Sequence, residues 1–393
     1  MKTSTMKRSY LSETAKKLKP SGIRKFFDLA SQMEGVISLG VGEPDFVTPW
    51  HVCEASLDSL ERGYTGYTSN AGLLELRTEI VKYLQGKFNL TYDAEDEVIV
   101  TVGASQAIDV ALRAILDSGD EVLVVEPCFV AYSASVSLAG GVPVAVPTSA
   151  ESEFKLLPEQ LEQKITEKTK AIILCFPNNP TGTTMSEQEL DNVADIVKKH
   201  DLLVLTDEIY AELSYNEEHV SIARFNGMKE RTIYISGFSK AFAMTGWRLG
   251  YAAGPAEIIQ AMLKIHQYTI MCAPTMAQYG ALEALKTGMD DVNEMVKSYR
   301  QRRNFLVKSF QEIGLDCHLP GGAFYVFPSI KKTGLTSEQF AERLLHEEKV
   351  AVVPGNVFGE GGEGHIRCSY ATSLSELQEA MNRIGRFTRK YAV

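Results

Sequence analysis

Two cationic side chains, Lys240 and Arg248, stand eight residues apart in the segment GFSKAFAMTGWR at 237–248. A β-prone apolar run at 232–235 precedes the lysine and puts it on a turn at the end of a strand. An amine there can condense with a carbonyl carbon. A guanidinium beyond the Thr245-Gly246 turn can grip a phosphate in a planar fork. The pair suits one small ligand that carries both groups. Lysines on loops are ordinarily just solvated, so this pair gains meaning only from what the rest of the chain brings to it.

Apolar runs that end in small or polar turns recur along the sequence. The run at 98–101 leads through Gly103, Ala104 and Ser105 into a helical stretch. Strand, small-residue turn and helix N-terminus together make a place where free backbone N–H groups and the helix dipole face an anion. Ser105 adds a hydroxyl there or caps the helix. The run at 121–125 opens onto EPCFVAY, in which Phe129 either covers a planar ligand or is plain core. The run at 171–176 ends in PNNPTG, where Asn179 is a turn former or a ligand group. The run at 202–205 ends in TDEIY, which clusters two acids, Asp207 and Glu208, with Tyr210 at the same edge of the sheet. An aspartate emerging from a buried strand suffers desolvation unless it is paired. A protonated ring nitrogen is a suitable partner for Asp207, and Tyr210 can serve an oxygen on the same ring. Apolar strand centres alternating with helical stretches predict an α/β fold whose parallel sheet is covered on both faces. In such sheets ligands bind at the carboxyl ends of the strands. Ser105, Phe129, Asn179, Asp207 and Lys240 fall at successive strand ends in chain order, and that ordering makes one site of them.

The length of 393 residues predicts one large domain with a smaller companion. A net charge of -10 gives no support to a nucleic-acid footprint. Six separated cysteines without a CxxC read as buried thiols of a reducing compartment, and seven histidines without HExxH or clustered spacing predict no metal site. There is no GxGxxG and no phosphate-loop GxxxxGK[ST]. Residues 1–27 are basic but lack the apolar stretch of a targeting peptide, and no run is long enough to span a bilayer. The expected location is the cytoplasm, with no membrane partner.

With its NNPTG turn and MTGWRLG stretch, the chain resembles the fold-type I pyridoxal-phosphate enzymes, and among them the class I/II aminotransferases, over nearly its whole length. The resemblance implies pyridoxal 5'-phosphate as cofactor and a mostly parallel seven-stranded sheet with helices on both faces. It also implies a smaller α+β domain formed by the two chain ends. The corresponding boundaries are an N-terminal segment at 1–45, a large domain at 46–288 and a C-terminal domain at 289–393. Lys240 would hold the cofactor and, once freed, move a proton. Asp207 would keep the ring nitrogen protonated, and Phe129 would lie over the ring. Asn179 and Tyr210 would hold the phenolic oxygen. Ala104, Ser105, Ser239 and Arg248 would bind the phosphate. Arg367, with Gly42 and Asn179, would take the substrate α-carboxylate, and Tyr67 would reach the neighbouring site of a homodimer. The chain departs from the pattern at Gly237, where many relatives carry a phosphate-binding serine. Ser105 also stands where some aspartate-specific relatives carry a basic residue, and the stretch at 264–271 is apolar and aromatic. His266 and Tyr268 in that stretch read as packing groups. The expectation is a broad or aromatic-preferring aminotransferase with 2-oxoglutarate as acceptor. Arg24 or Lys25 is left open as a distal charge. Aspartate and N-acetyl-L,L-diaminopimelate aminotransferases are the alternatives, with a carbon-sulfur lyase behind them.

Overall fold

The computed structural model describes residues 9–391 apart from 19, 21 and 32, and leaves the side chains at 24–28 undescribed. Seven strands form the central sheet: β1 (Val98–Thr101), β2 (Glu121–Glu126), β3 (Val142–Pro147), β4 (Thr169–Leu174), β5 (Leu203–Asp207), β6 (Thr232–Gly237) and β7 (Gly250–Ala253). Their spatial order is β1-β7-β6-β5-β4-β2-β3. β7 pairs antiparallel with both β1 and β6, and the remaining pairs are parallel.

The alternation of side chains along these strands shows why helices must cover both faces. Val122 and Val124 of β2 join one buried cluster with Ile108 and Leu112 of the helix Gly103–Ile115. Leu123 and Val125 of the same strand join another, with Leu190 and Val193 of the helix Glu187–Lys199. The latter helix starts cleanly, because Ser186 accepts from Glu189 N–H while the Glu189 side chain returns to Ser186 N–H.

A smaller unit is built from both ends of the chain. Ile37–Ser38 pairs in parallel with Val350–Ala351. Ile366–Ser369 runs antiparallel to both Val353–Pro354 and Tyr325–Val326. The strand Tyr325–Val326 is only two residues long. Ala323 has a φ of 56°, which breaks extended pairing ahead of it. The helix Met289–Glu312 connects the two units. Among the described residues no helix is long and apolar enough to cross a membrane.

One row of the sheet sets the geometry of the site. Gly250, first in β7, pairs with Thr101 at the end of β1 and with Gly237 at the end of β6. A Cβ on Gly250 would sit 2.5 Å from Ala104 N, and one on Gly237 would sit 2.9 Å from Gly250 Cα. The two glycines let the turn after β1 lie directly on the β6–β7 edge. This packing also accounts for the departure at position 237, because a serine has no room there. Since β7 runs against its neighbours, its start lies at their carboxyl ends. Residues just before Gly250 therefore meet residues just after Thr101 and Gly237.

Candidate active site

That edge opens into a cavity of about 320 Å³ lined by Gly42, Ala104, Ser105, Phe129, Asn179, Asp207, Tyr210, Ser239, Lys240, Arg248 and Arg367, among others. The sequence-predicted residues therefore converge, with one exception. Tyr67 is 82% exposed and lies outside this lining. A second cavity of about 200 Å³, lined by Lys155, His219 and His318 among others, holds none of them.

Lys240 is half-buried and its Nζ donates to Gly42 O at 2.6 Å. Burial pushes its pKa down to about 8; Arg367 and Arg248 push the same way, against Glu43 and Asp207. Asp207 is buried at the end of β5. Its Oδ2 accepts from Tyr132 Oη at 2.7 Å and its Oδ1 from Ile209 N–H at 3.2 Å. Burial raises its pKa to about 6, although both hydrogen bonds favour the ionised form. Among the described residues neither Lys240 nor Asp207 has an opposite charge at hydrogen-bond distance.

The two asparagines of PNNPTG divide the labour that the sequence left open. Asn178 makes the turn: its Oδ1 accepts from Thr181 N–H and its backbone bonds Thr183 O and Gly182 N–H. Asn179 is thereby free to point into the cavity, where its Oδ1 accepts from Arg367 Nη1 at 2.8 Å. Arg367 Nη2 donates to Gly40 O at 2.7 Å, and its buried Nε is without a partner. The Tyr210 and Tyr325 hydroxyls meet at 2.9 Å. Arg248, with φ of 52°, donates to Thr245 O at 2.8 Å and is exposed in the single chain. A Cβ on Gly103 would fall 2.6 Å from Arg248 Nη2, so glycine lets the guanidinium reach the helix N-terminus.

Several readings need correction. Ser105 is the third residue of its helix, not the cap; Val102 holds that position, and its N–H is taken by Gln106 Oε1. Glu208 does not join Asp207 in the cavity. Side chains alternate along a strand, so Glu208 faces away and accepts from Ser221, Thr206 and His219. His266 is a packing group as expected, fully buried against Gln106 at 2.8 Å, but Tyr268 is 87% exposed. The side chains of Arg24 and Lys25 lie outside the described residues. Tyr132 and Tyr325 were missed, although Tyr132 lies three residues after Phe129 in EPCFVAY.

The family model described as aminotransferase class I and II matches residues 34–384. The chain belongs to this family. It is 65% identical to "Putative aminotransferase YugH" of Bacillus subtilis (strain 168), over 97% of this chain and 99% of that protein. It is 49% identical to an aspartate aminotransferase of Pyrococcus abyssi, over 94% and 96%. Among solved structures, an aromatic aminotransferase from Pyrococcus horikoshii superposes with a TM-score of 0.90 at 46% identity, covering 94% of this chain and 99% of that one.

Membership implies pyridoxal phosphate, and the cavity of this aminotransferase fits such a group. An amine of lowered pKa stands near a buried carboxylate that lacks a cation. A glycine turn, a helix N-terminus and Arg248 form a cradle for an anion at one wall. The buried Arg367 Nε is an unused donor at another. Volume and polarity suit a small, doubly anionic aromatic ligand.

The raised pKa of Asp207 has a consequence for the cofactor-free chain. An acid whose pKa rises on folding binds more protons folded than unfolded between the two values. Stability is therefore lost as pH climbs from 3.8 to about 6, and the loss is complete above that window. Asp207→Asn removes this dependence. Relative to wild type, the stripped variant should gain roughly 2–3 kcal/mol between pH 3.5 and pH 8 in urea unfolding. A pH-independent difference would refute the burial argument.

Proposed function

We propose that this aminotransferase uses pyridoxal 5'-phosphate, held covalently by Lys240, to exchange amino groups between an L-amino acid and 2-oxoglutarate. Its preferred donors have apolar or aromatic side chains, and it works as a homodimer. The reading is carried by the convergence of one low-pKa amine, one buried carboxylate and two guanidinium groups on separate walls of a single cavity. On this reading residues 46–288 form the cofactor-binding domain and 289–393 the small domain. The N-terminal segment 1–45, in its described residues, joins the latter and covers the site.

When bound, the cofactor supplies the electron sink that acidifies the α-hydrogen of an amino acid. The chain's own groups do the rest. Lys240, with a pKa near 8, is partly neutral close to neutral pH, so its freed amine would take the proton from the α-carbon and deliver it to the carbon on the other side of the amino nitrogen. Asp207 gains a counter-charge by holding the ring nitrogen protonated. Asn179 and Tyr210 hold the phenolic oxygen, and Phe129 covers the ring. Arg248, Ser239, Ser105 and the N–H groups of Ala104 and Ser105 hold the phosphate. Arg367 receives the α-carboxylate as a planar fork, and Gly42 leaves room beside it.

Among the described residues, the lysines and arginines lining the cavity are Lys240, Arg248 and Arg367, each already given a role. Ile23 and Ile108 add apolar side chains to the lining. A buried distal carboxylate there would go unpaired at high cost, which favours uncharged donors. The alternative, an aspartate specificity, is supported by the name of the Pyrococcus abyssi relative. The dimer is supported by an exposed apolar surface. Tyr67 shares a loop with Tyr64, and that loop is tied by Asn70 to Met271 O and by Gly66 O to Thr275, beside exposed Tyr268 and Ile270.

Purified protein should absorb in the visible, lose the band on borohydride reduction and carry the adduct on the Lys240 peptide. Lys240→Ala should lose about a thousandfold or more in turnover while still binding cofactor. A colourless protein that cannot be reconstituted defeats the assignment.

Sedimentation at micromolar protein should give two chains per particle. A fully active monomer would remove both the dimer and Tyr67 from the site.

Measured with 2-oxoglutarate, kcat/KM for phenylalanine and tyrosine should exceed that for aspartate and for N-acetyl-L,L-diaminopimelate by about tenfold or more. The reverse order would establish a distal charge, from Arg24, Lys25 or the partner subunit.

A further inference from the structure

Tyr325 occupies a place in the wall that no role above accounts for. It is 1% exposed, on the short strand paired with Ile366–Ser369, which carries Arg367. Three contacts fix it. The Arg367 guanidinium lies 4.5 Å from its ring centroid. Its hydroxyl meets that of Tyr210 at 2.9 Å. A Cβ on Gly42 would fall 2.8 Å from the same hydroxyl, so the main chain there closes over it. A phenylalanine would fill the same volume and back the same guanidinium. What the tyrosine adds is one hydroxyl, and among the described residues that hydroxyl's hydrogen-bond partner is Tyr210.

We propose that Tyr325 is a positioning residue that links the carboxylate-binding Arg367 to Tyr210, its ring backing the guanidinium and its hydroxyl donating to the Tyr210 hydroxyl. This rests on the cofactor reading above. The direction of donation follows from charge. A cation over the Tyr325 ring draws electron density from it and makes this phenol the better donor. Burial raises both phenols, and Arg367 opposes that rise more prominently at Tyr325 than at Tyr210. A hydroxyl that accepts one hydrogen bond donates a stronger one. Tyr210 is thus left with its own proton directed at the cofactor's phenolic oxygen, strengthened from behind. Arg367, which takes the substrate, and Tyr210, which tunes the cofactor, then share one side chain.

The test uses holoenzyme and two readouts: the pH midpoint of the bound cofactor's visible band, and the separate values of KM and kcat. Tyr325→Phe removes the hydroxyl and keeps the ring. The weakened bond from Tyr210 leaves the phenolic oxygen more basic, so the midpoint should rise by roughly half to one unit. The same variant should lose about three- to tenfold in kcat, with KM for the amino acid within about twofold. Tyr325→Leu also removes the ring and should raise KM about tenfold. Tyr210→Phe should shift the midpoint in the same direction, and Tyr325→Phe should add nothing in that background. An unmoved midpoint in Tyr325→Phe overturns the proposal, as does a shift of full size in the Tyr210→Phe background. If wild type shows the lysine-linked band and turnover, such a result removes only the coupling. A wild type without the band overturns both the coupling and the function on which it rests.

Discussion

Desolvation without a counter-charge is the condition on which the site depends. Asp207 sits at 5% exposure, held by a phenol and a backbone N–H rather than by a cation. Its pKa is lifted from 3.8 to about 6, which corresponds to roughly 3 kcal/mol. Against a net stability of about 5–15 kcal/mol for a folded domain, that is a substantial concession. Lys240 carries the opposite version of the same burden, its amine pushed toward neutrality. Were the two paired directly, each would relieve the other and neither would be free to act. The fold instead gives each a neutral partner, Tyr132 Oη for the carboxylate and Gly42 O for the amine. The stabilisation still owed to both charges is then available to a ligand that brings a cationic nitrogen and an electrophilic carbon.

What holds these groups apart yet within one cavity is the direction of a single strand. Five strands are followed at their carboxyl ends by residues that line the site, and β7 presents its start. A parallel β7 would carry Arg248 to the opposite edge of the sheet. Antiparallel pairing on both sides of β7 needs close passage at Gly250, where the turn after β1 rests on the strand. Arg248 and Ala243 both take positive φ within the connection from β6, 52° and 51°. Non-glycine residues hold that region at some cost, and such strain is tolerated where surrounding packing fixes it.

These features explain how much could be read without coordinates. Asp207, Asn179 and Lys240 were legible because each ends an apolar run, and a run of that kind in an α/β chain has one functional end. Arg248 was legible as a type, but the sequence does not reveal that β7 runs backwards. Ser105 stays open between cap and ligand in the sequence because helix starts are uncertain by a residue or two. Glu208 was misplaced because adjacency in sequence was taken for adjacency in space, against the alternation of strand side chains. Tyr132 and Tyr325 were missed for a different reason. Their partners are 75 and 115 residues away, and no local pattern encodes a tertiary hydrogen bond. The rest of the cavity lining is illegible on the same ground, since Ile23, Ile108 and Tyr325 come from three separate elements.

Arg367 shows why residue type matters as much as position. Its guanidinium is tied along one edge to Asn179 Oδ1 and Gly40 O, and two rings, Tyr325 and Phe358, lie 4.5 and 5.0 Å from it. Those contacts use one N–H on each terminal nitrogen. Among the described residues the remaining N–H on each, and the buried Nε–H, have no partner. A planar group fixed in this way is pre-organised, so an arriving carboxylate need not order it. A lysine here would have a single nitrogen to divide among Asn179, Gly40 and any carboxylate that binds, and no planar face to lay against Tyr325. The aromatic wall and the arginine are therefore one device. The rings exclude water and hold the plane of the guanidinium, and the guanidinium in turn gives the apolar wall its one strong, directional contact.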